Sequence, residues 1–173
     1  MSQKLDLKEL AEKWPKRLEY TGLEKILIAI SLLIVAGTVA RLAMVYGSLP
    51  QEMPTHFDFE GKVDGSDGKG SLLILAGVDV ACTLLMLVCG HFPRGINVPV
   101  SMLKRPAEDI VHGTRVYLYL TTILMVALFW YLIEGTMLVA KGVWMGLPSF
   151  GIWAFMLVLF VSIGIYFYWL WRG

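Results

Sequence analysis

Four side chains that could bind a cation or exchange protons lie close together in one stretch of the sequence. They are His56, Asp58, Glu60 and Asp64. Imidazole nitrogens and carboxylate oxygens are ligands that zinc and related metals accept, and a cluster of carboxylates attracts a positively charged peptide. Their spacing matches no standard metal motif and differs from an EF-hand loop. Two alternatives follow: a site for a divalent cation or cationic peptide, or a structural loop in which His56 hydrogen-bonds Asp64 or a loop carbonyl.

The loop that holds these residues, 47–70, is more patterned than a plain connection. Pro50 and Pro54 each fix one backbone angle and extend the residue before them. Residues 55–59, with Phe57 at their centre, alternate polar and apolar side chains and so predict a short half-exposed strand. From Gly61 onward, glycines mixed with aspartates predict consecutive turns. Between residues 46 and 71 there are five acidic side chains and two lysines, which is a net charge of −3.

Three more ionisable residues, Arg41, Asp79 and Glu134, interrupt runs of apolar sequence. Charged side chains inside a membrane are costly and usually face the interior of a helix bundle. At 1.5 Å per residue they fall about 7.5, 12 and 9 Å below the ends of their runs nearest the loop. We therefore predict an Arg41–Glu134 ion pair with Asp79 deeper, forming a polar pocket whose lid includes His56. In the alternative, Arg41 extends to the lipid headgroups and Asp79 makes one interhelical hydrogen bond.

The elements that must position these side chains are membrane-spanning helices. The 173 residues are 57% apolar and 17% charged, whereas a soluble domain carries about 25% charged residues. The formal net charge of +1 excludes a strongly basic nucleic-acid-binding protein. Apolar runs of about 20 residues are long enough to cross the bilayer as helices. The sequence predicts an all-α integral membrane protein, a four-transmembrane-helix bundle with a structured extracytoplasmic loop after the first helix; the spans are 26–46, 71–90, 116–140 and 149–170.

The positive charges predict how these spans are oriented. Of the fifteen Lys and Arg residues, eleven precede span one, lie between spans two and three, or follow span four, and three lie in the other two loops. Because cytoplasmic loops carry the excess of positive charge, both termini are predicted to be cytoplasmic. Residues 1–25 are predicted to form an amphipathic segment along the membrane surface.

Residues 91–115 are predicted to be a cytoplasmic loop that ends in a short helix starting near Pro106. Glu108 and His112 stand four residues apart on one face of that helix, as metal ligands or an acid/base pair would, or as part of a solvated surface. Cys82 and Cys89 lie about 10.5 Å apart along span two, too far for a disulfide, and are expected to be packing residues.

The loop also carries a resemblance to a known family. The string LPQEMPTHFDFEGKVDG, Leu49 to Gly65, resembles the hallmark of a family of small prokaryotic membrane proteins of unknown function, which is shared with the N-terminal part of SdpI-type toxin immunity proteins. The inner stretch Ile96–Val100 resembles a segment that follows span two in short family members. The resemblance implies a location in the prokaryotic cytoplasmic membrane. The matching positions are Leu49, Pro50, Pro54, His56, Phe57, Gly61, Asp64 and Gly65.

Three functions are compatible with these features. The first is a non-enzymatic protein, resembling SdpI-type immunity and signalling proteins, that senses or intercepts an extracytoplasmic ligand such as a peptide through the His56 loop. The second is an accessory subunit of a larger membrane complex, or a homo-oligomer. The third is a membrane enzyme that uses His56 and neighbouring carboxylates, although the sequence shows no recognisable nucleophile. No cofactor is expected beyond a divalent cation, and the expected partners are lipid, a membrane protein or a peptide, with no nucleic acid.

Overall fold

The computed structural model describes residue 15 and residues 17–92 and 105–172. Four helices in this part of the chain are long and apolar enough to cross a membrane, and a two-stranded hairpin separates the first two. The predicted fold class is therefore confirmed. Most of the amphipathic segment 1–25 and the stretch Ile96–Val100 lie outside the described residues. The elements are α1 (Gly22–Val45), a 3-10 turn (Tyr46–Ser48), β1 (Glu52–Phe57), β2 (Val63–Gly68), α2 (Gly70–His91), α3 (Ala107–Ala140) and α4 (Ser149–Arg172).

The third helix begins nine residues earlier than the predicted span 116–140. The short helix predicted before residue 115 is continuous with the span, so that α3 has 34 residues and is about 51 Å long. Since the hydrocarbon core is about 30 Å thick, one end of α3 extends out of it. Pro106 occupies the position before the helix, with Glu108 and Asp109 in its first turn, where acidic groups favour a helix N-terminus.

The helices run alternately between two ends of the molecule. We call the end that holds the start of α1 and the last residue of α4 the basic end, and the end that holds β1 and β2 the hairpin end. Helices α1, α2 and α3 pack on one another and form a three-helix core. In α4, which packs chiefly on α3, Leu170 is the only buried residue among those described. All four helices expose many large apolar side chains, as membrane-spanning helices do.

The hairpin differs from the prediction in its second half. Residues 63–68, predicted as turns, form β2 and pair antiparallel with β1. The register is regular near the base of the hairpin and irregular around His56, which lies opposite Gly65. The Asp58 carboxylate accepts hydrogen bonds from the backbone N–H groups of Glu60 and Lys62. These bonds make residues 58–62 the turn, and the strand predicted over 55–59 accordingly ends at Phe57.

The hairpin is attached to the bundle at two places. Leu49 and Met53 are buried in a cluster with residues of α1, α2 and α3. At the turn, the backbone N–H of Leu147 donates to the Gly61 carbonyl, with an N···O distance of 2.8 Å. Gly61 has φ of 83°, and a Cβ there would overlap the Leu147 carbonyl. Both the backbone conformation and the close approach therefore require glycine.

Candidate functional site

His56 and Asp64 face each other across the irregular part of the hairpin. Their Nδ1 and Oδ1 atoms are 2.5 Å apart, and the two side chains are 75% and 45% exposed. A hydrogen bond between His56 and Asp64 is what the sequence predicted if the loop is structural. It is formed because the strands place His56 opposite Gly65, next to Asp64. The imidazole and the carboxylate thus form an exposed polar pair on the surface of the hairpin.

The other two candidate metal ligands are engaged elsewhere. Asp58 accepts the backbone N–H groups of the turn, and the Glu60 carboxylate accepts a hydrogen bond from Lys62 Nζ at 2.6 Å. Among the described residues, no group of three or more His, Cys, Asp or Glu side chains is placed to hold one metal ion. The loop brings together only His56 and Asp64 of the four predicted ligands, and a cation bound there would need further ligands from outside these residues.

The predicted ion pair between spans one and three is present. Arg41 Nη2 donates to Glu134 Oε1 at 3.2 Å, and the side chains are 46% and 21% exposed. Arg41 is four residues from the end of α1 and Glu134 six from the end of α3, or about 6 and 9 Å. The depth argument from the sequence therefore placed the two residues at the correct level.

Asp79 does not join this pair. It is fully buried in the three-helix core, and neither of its carboxylate oxygens has a hydrogen-bond partner in the described part of the chain. Thr83, one turn further along α2, is also buried, and its hydroxyl lies near the Asp79 carboxylate without a hydrogen bond of good geometry between them. A buried carboxyl group normally has a partner, so Asp79 is unusual.

A small cavity lies beneath the hairpin, but it is not the predicted pocket. Its volume is about 140 Å³. His56 is not part of its wall, and neither are Arg41, Asp79 and Glu134. Among the predicted loop residues Pro54 contributes to it, while Pro50 is exposed and Phe57 is half-buried. The walls are formed by Pro54, Thr55, Ser71, Leu72, Leu75 and Thr136.

The basic end contains a buried charged cluster that sequence reasoning missed. Glu24 and Arg115 are 0% and 1% exposed. The Glu24 carboxylate accepts the Thr21 backbone N–H at 2.8 Å, pairs with His112 Nδ1 at 2.9 Å and lies 3.9 Å from Arg115 Nη1. His112 thus contacts Glu24 of α1, and not Glu108, with which it shares a face of α3. The sequence signal was the Thr21-x-x-Glu24 capping box, which the structure contains.

Arg115 joins three segments of the chain. Its Nε donates to the Gly90 carbonyl at 2.9 Å and its Nη1 to the Leu18 carbonyl at 3.0 Å. Its guanidinium lies 4.4 Å from the centre of the Tyr20 ring. The end of α2, the segment before α1 and helix α3 are thus connected through one side chain.

Comparison with known proteins places part of this architecture in a family. Residues 32–78 match the family described as Domain of unknown function (DUF1648). The match includes most of α1 and the whole hairpin, together with the first nine residues of α2. No curated protein matches the chain, and no solved structure does. The chain is thus a multipass membrane protein with a DUF1648 segment that contains Arg41 and His56.

Proposed function

We propose that this protein is non-enzymatic and uses the hairpin to sense or intercept a cationic peptide on the extracytoplasmic side of the membrane. The observation that carries the proposal is the contrast between the two faces of the hairpin. Leu49 and Met53 hold it in the core, while His56 and Asp64 are exposed. A rigidly held loop that displays polar groups is suited to binding, because little ordering entropy is lost when the ligand arrives.

The charge of the hairpin supports a cationic ligand. The loop has a net charge of −3, and Lys62 neutralises Glu60. Glu52, Asp64 and Asp67 are exposed on the two strands. The resemblance of the loop to that of SdpI-type toxin immunity proteins agrees with this proposal. Complementary charge contributes mainly specificity and a faster association rate.

The same proposal requires the hairpin to face outward. The excess of Lys and Arg at the basic end supports a cytoplasmic location for that end in a prokaryotic membrane. Asp67→Cys and Glu108→Cys, each made with Cys82→Ser and Cys89→Ser, test this in intact cells. A membrane-impermeant maleimide should label Cys at position 67 and not at position 108. The reverse labelling would contradict the orientation.

Binding is tested on purified protein with a fluorescent oligolysine peptide. Asp64→Asn with Asp67→Asn removes two exposed charges. Each exposed charge interaction contributes up to about 1 kcal/mol to binding, so the dissociation constant of the peptide should rise about tenfold. The matched control is Glu108→Gln with Asp109→Asn, which removes two exposed acids at the basic end. Equal weakening by both double variants would contradict a binding site on the hairpin.

An accessory subunit is the second candidate. It is favoured by α4, in which Leu170 alone is buried among the described residues and aromatic side chains such as Phe150 and Phe160 are exposed. A helix with this surface is able to pack against another membrane protein. Purification in mild detergent followed by mass spectrometry tests it. A stoichiometric co-purified membrane protein that is lost with Phe150→Ala and Phe160→Ala would favour the subunit over the peptide-binding protein.

A further inference from the structure

An apolar groove lies between α3 and α4 at the basic end. It has a volume of about 440 Å³ and runs along α3 from Gly113 to Leu124, which is about 16 Å. That length matches one leaflet, half of the roughly 30 Å hydrocarbon core. Its walls are almost entirely apolar, with Leu120 and Ile165 on opposite sides. The groove therefore has the depth and surface chemistry of a site for a hydrocarbon chain.

Specific contacts between α3 and α4 surround the groove. The Tyr117 and Tyr166 rings stack with their centres 4.3 Å apart, and the Tyr166 hydroxyl is 2.8 Å from Thr114 Oγ1. Closer to the basic end, Trp169 lies against Gly113, where a Cβ would overlap the indole ring. These contacts join α4 to α3 on one side of the groove. It is thus a preformed site, as most small-molecule pockets are.

A positive charge stands at the mouth of the groove. The Arg105 guanidinium lies 4.6 Å from the centre of the Trp169 ring, and its Nε donates to the Trp169 carbonyl at 3.4 Å. Trp169 itself forms part of the groove wall. Within the described residues, Arg105 makes its hydrogen bond through Nε. Its two Nη groups are therefore available to donate to phosphate oxygens, which guanidinium groups bind well. Arg172, which lies near the Tyr168 ring, adds a second positive charge at this end.

We propose that this groove binds one anionic phospholipid, with an acyl chain between α3 and α4 and the phosphate at Arg105. The volume is in the range of small-molecule sites, about 300–1,000 Å³. Basic pockets at the ends of membrane helices recognise lipid headgroups by this chemistry. The proposal concerns a different face from the hairpin and does not depend on the peptide-binding function.

The test measures lipid retention by native mass spectrometry. Purified full-length protein is exchanged into detergent that contains equal amounts of phosphatidylglycerol and phosphatidylcholine. We expect one phosphatidylglycerol retained per chain, with about a fivefold preference over phosphatidylcholine from one headgroup arginine. Arg105→Gln should remove the preference, while Lys141→Gln, a matched charge loss at the hairpin end, should leave it unchanged.

A second pair of variants tests the groove itself. Ser162→Phe fills the groove, because Ser162 is part of its wall, and should abolish retention of both lipids. Val161→Phe puts the same ring on the neighbouring exposed position and should retain lipid as the natural chain does. The proposal is overturned if the natural chain shows no preference between the two lipids, or if Ser162→Phe and Val161→Phe retain equal amounts, since lipid would then coat the helices without a site. Helical circular dichroism confirms that each variant is folded.

Discussion

Two ion pairs connect the same two helices at opposite ends of the molecule, with their charges exchanged. At the basic end the acid is on α1 and the base on α3, Glu24 and Arg115. At the hairpin end the base is on α1 and the acid on α3, Arg41 and Glu134. The pairs are separated by 17 residues on α1 and 19 on α3, about 25 and 28 Å. One pair therefore lies near each boundary of a hydrocarbon core that is about 30 Å thick.

The exchange of charge fixes how α1 and α3 pair. If α3 were reversed, Glu24 would meet Glu134 and Arg41 would meet Arg115, and like charges at close range are unfavourable. A shift of one helix turn, about 5.4 Å, would break both pairs. Apolar surfaces alone would allow α1 and α3 to pack in several axial registers, because lipid chains are as apolar as the helix surfaces and favour no particular register. The two ion pairs therefore specify the parallel arrangement of α1 and α3 and their axial position.

The two pairs differ in burial and in what else they contact. Glu24 and Arg115 are at most 1% exposed and also bind Thr21, His112 and three backbone carbonyls. Arg41 and Glu134 are 46% and 21% exposed. Removing one partner from a buried pair is costly, whereas a half-exposed arginine can extend to the headgroups. We infer that the ion pair at the basic end contributes more to stability than the ion pair at the hairpin end.

The strongest test of this difference is Arg115→Gln. The substitution leaves the buried Glu24 carboxylate with His112 but without the arginine charge, and it leaves the Gly90 and Leu18 carbonyls without their donor. We expect a loss of about 3–5 kcal/mol in the free energy of unfolding, measured by thermal melting of the purified protein in detergent. Adding Glu24→Gln should restore part of that loss, because the stranded charge is removed. If Arg115→Gln alone had the same melting temperature as the natural chain, the special role of the basic end would be refuted.

Gly61→Ala tests whether the hairpin end is held by the backbone contact between Gly61 and Leu147, and not by its ion pair. The new Cβ would overlap the Leu147 carbonyl at a residue with φ of 83°. Backbone strain and displacement of the turn should together cost about 2–3 kcal/mol, seen as a lower melting temperature. Gly68→Ala is the control, because a Cβ there meets nothing within 4 Å. Similar melting of the two variants would mean that the turn is not fixed to the loop before α4.

The two ends also show what the sequence could predict. The four spans followed from apolar runs, and the Arg41–Glu134 contact followed from depth, because both residues stand well inside a run. Glu24 and Arg115 were missed because they adjoin the ends of runs and were counted as loop charges. The second strand was missed for a different reason. Its composition, glycine with aspartate, is typical of turns, and pairing with β1 overrides that local preference.

Asp79 provides a third case between the two pairs, a buried charge-bearing group without a well-formed hydrogen bond to any described residue. If burial without a partner is what costs energy, Asp79→Val should raise the free energy of unfolding by about 1–2 kcal/mol. Asp79→Asn, which keeps two polar atoms in the same place, should raise it less. The readout is again the melting temperature in detergent. A lower melting temperature for Asp79→Val would indicate that the carboxyl group has a stabilising partner, such as a bound ion or water.

The smallest effect is expected for Glu134→Gln, the counterpart of the change at Arg115. Glutamine keeps the shape of the side chain and can still accept a hydrogen bond from Arg41, whose position about 6 Å from the end of α1 lets it reach the headgroups. We expect a loss of no more than about 1 kcal/mol. Arg41→Gln should cost as little, and Glu134→Gln with Arg41→Gln should cost less than the sum of the two changes, because the shared ion pair is lost only once. A loss comparable to that of Arg115→Gln would show that exposure to lipid does not relieve an unpaired arginine, and the two ends would then be equally important for stability.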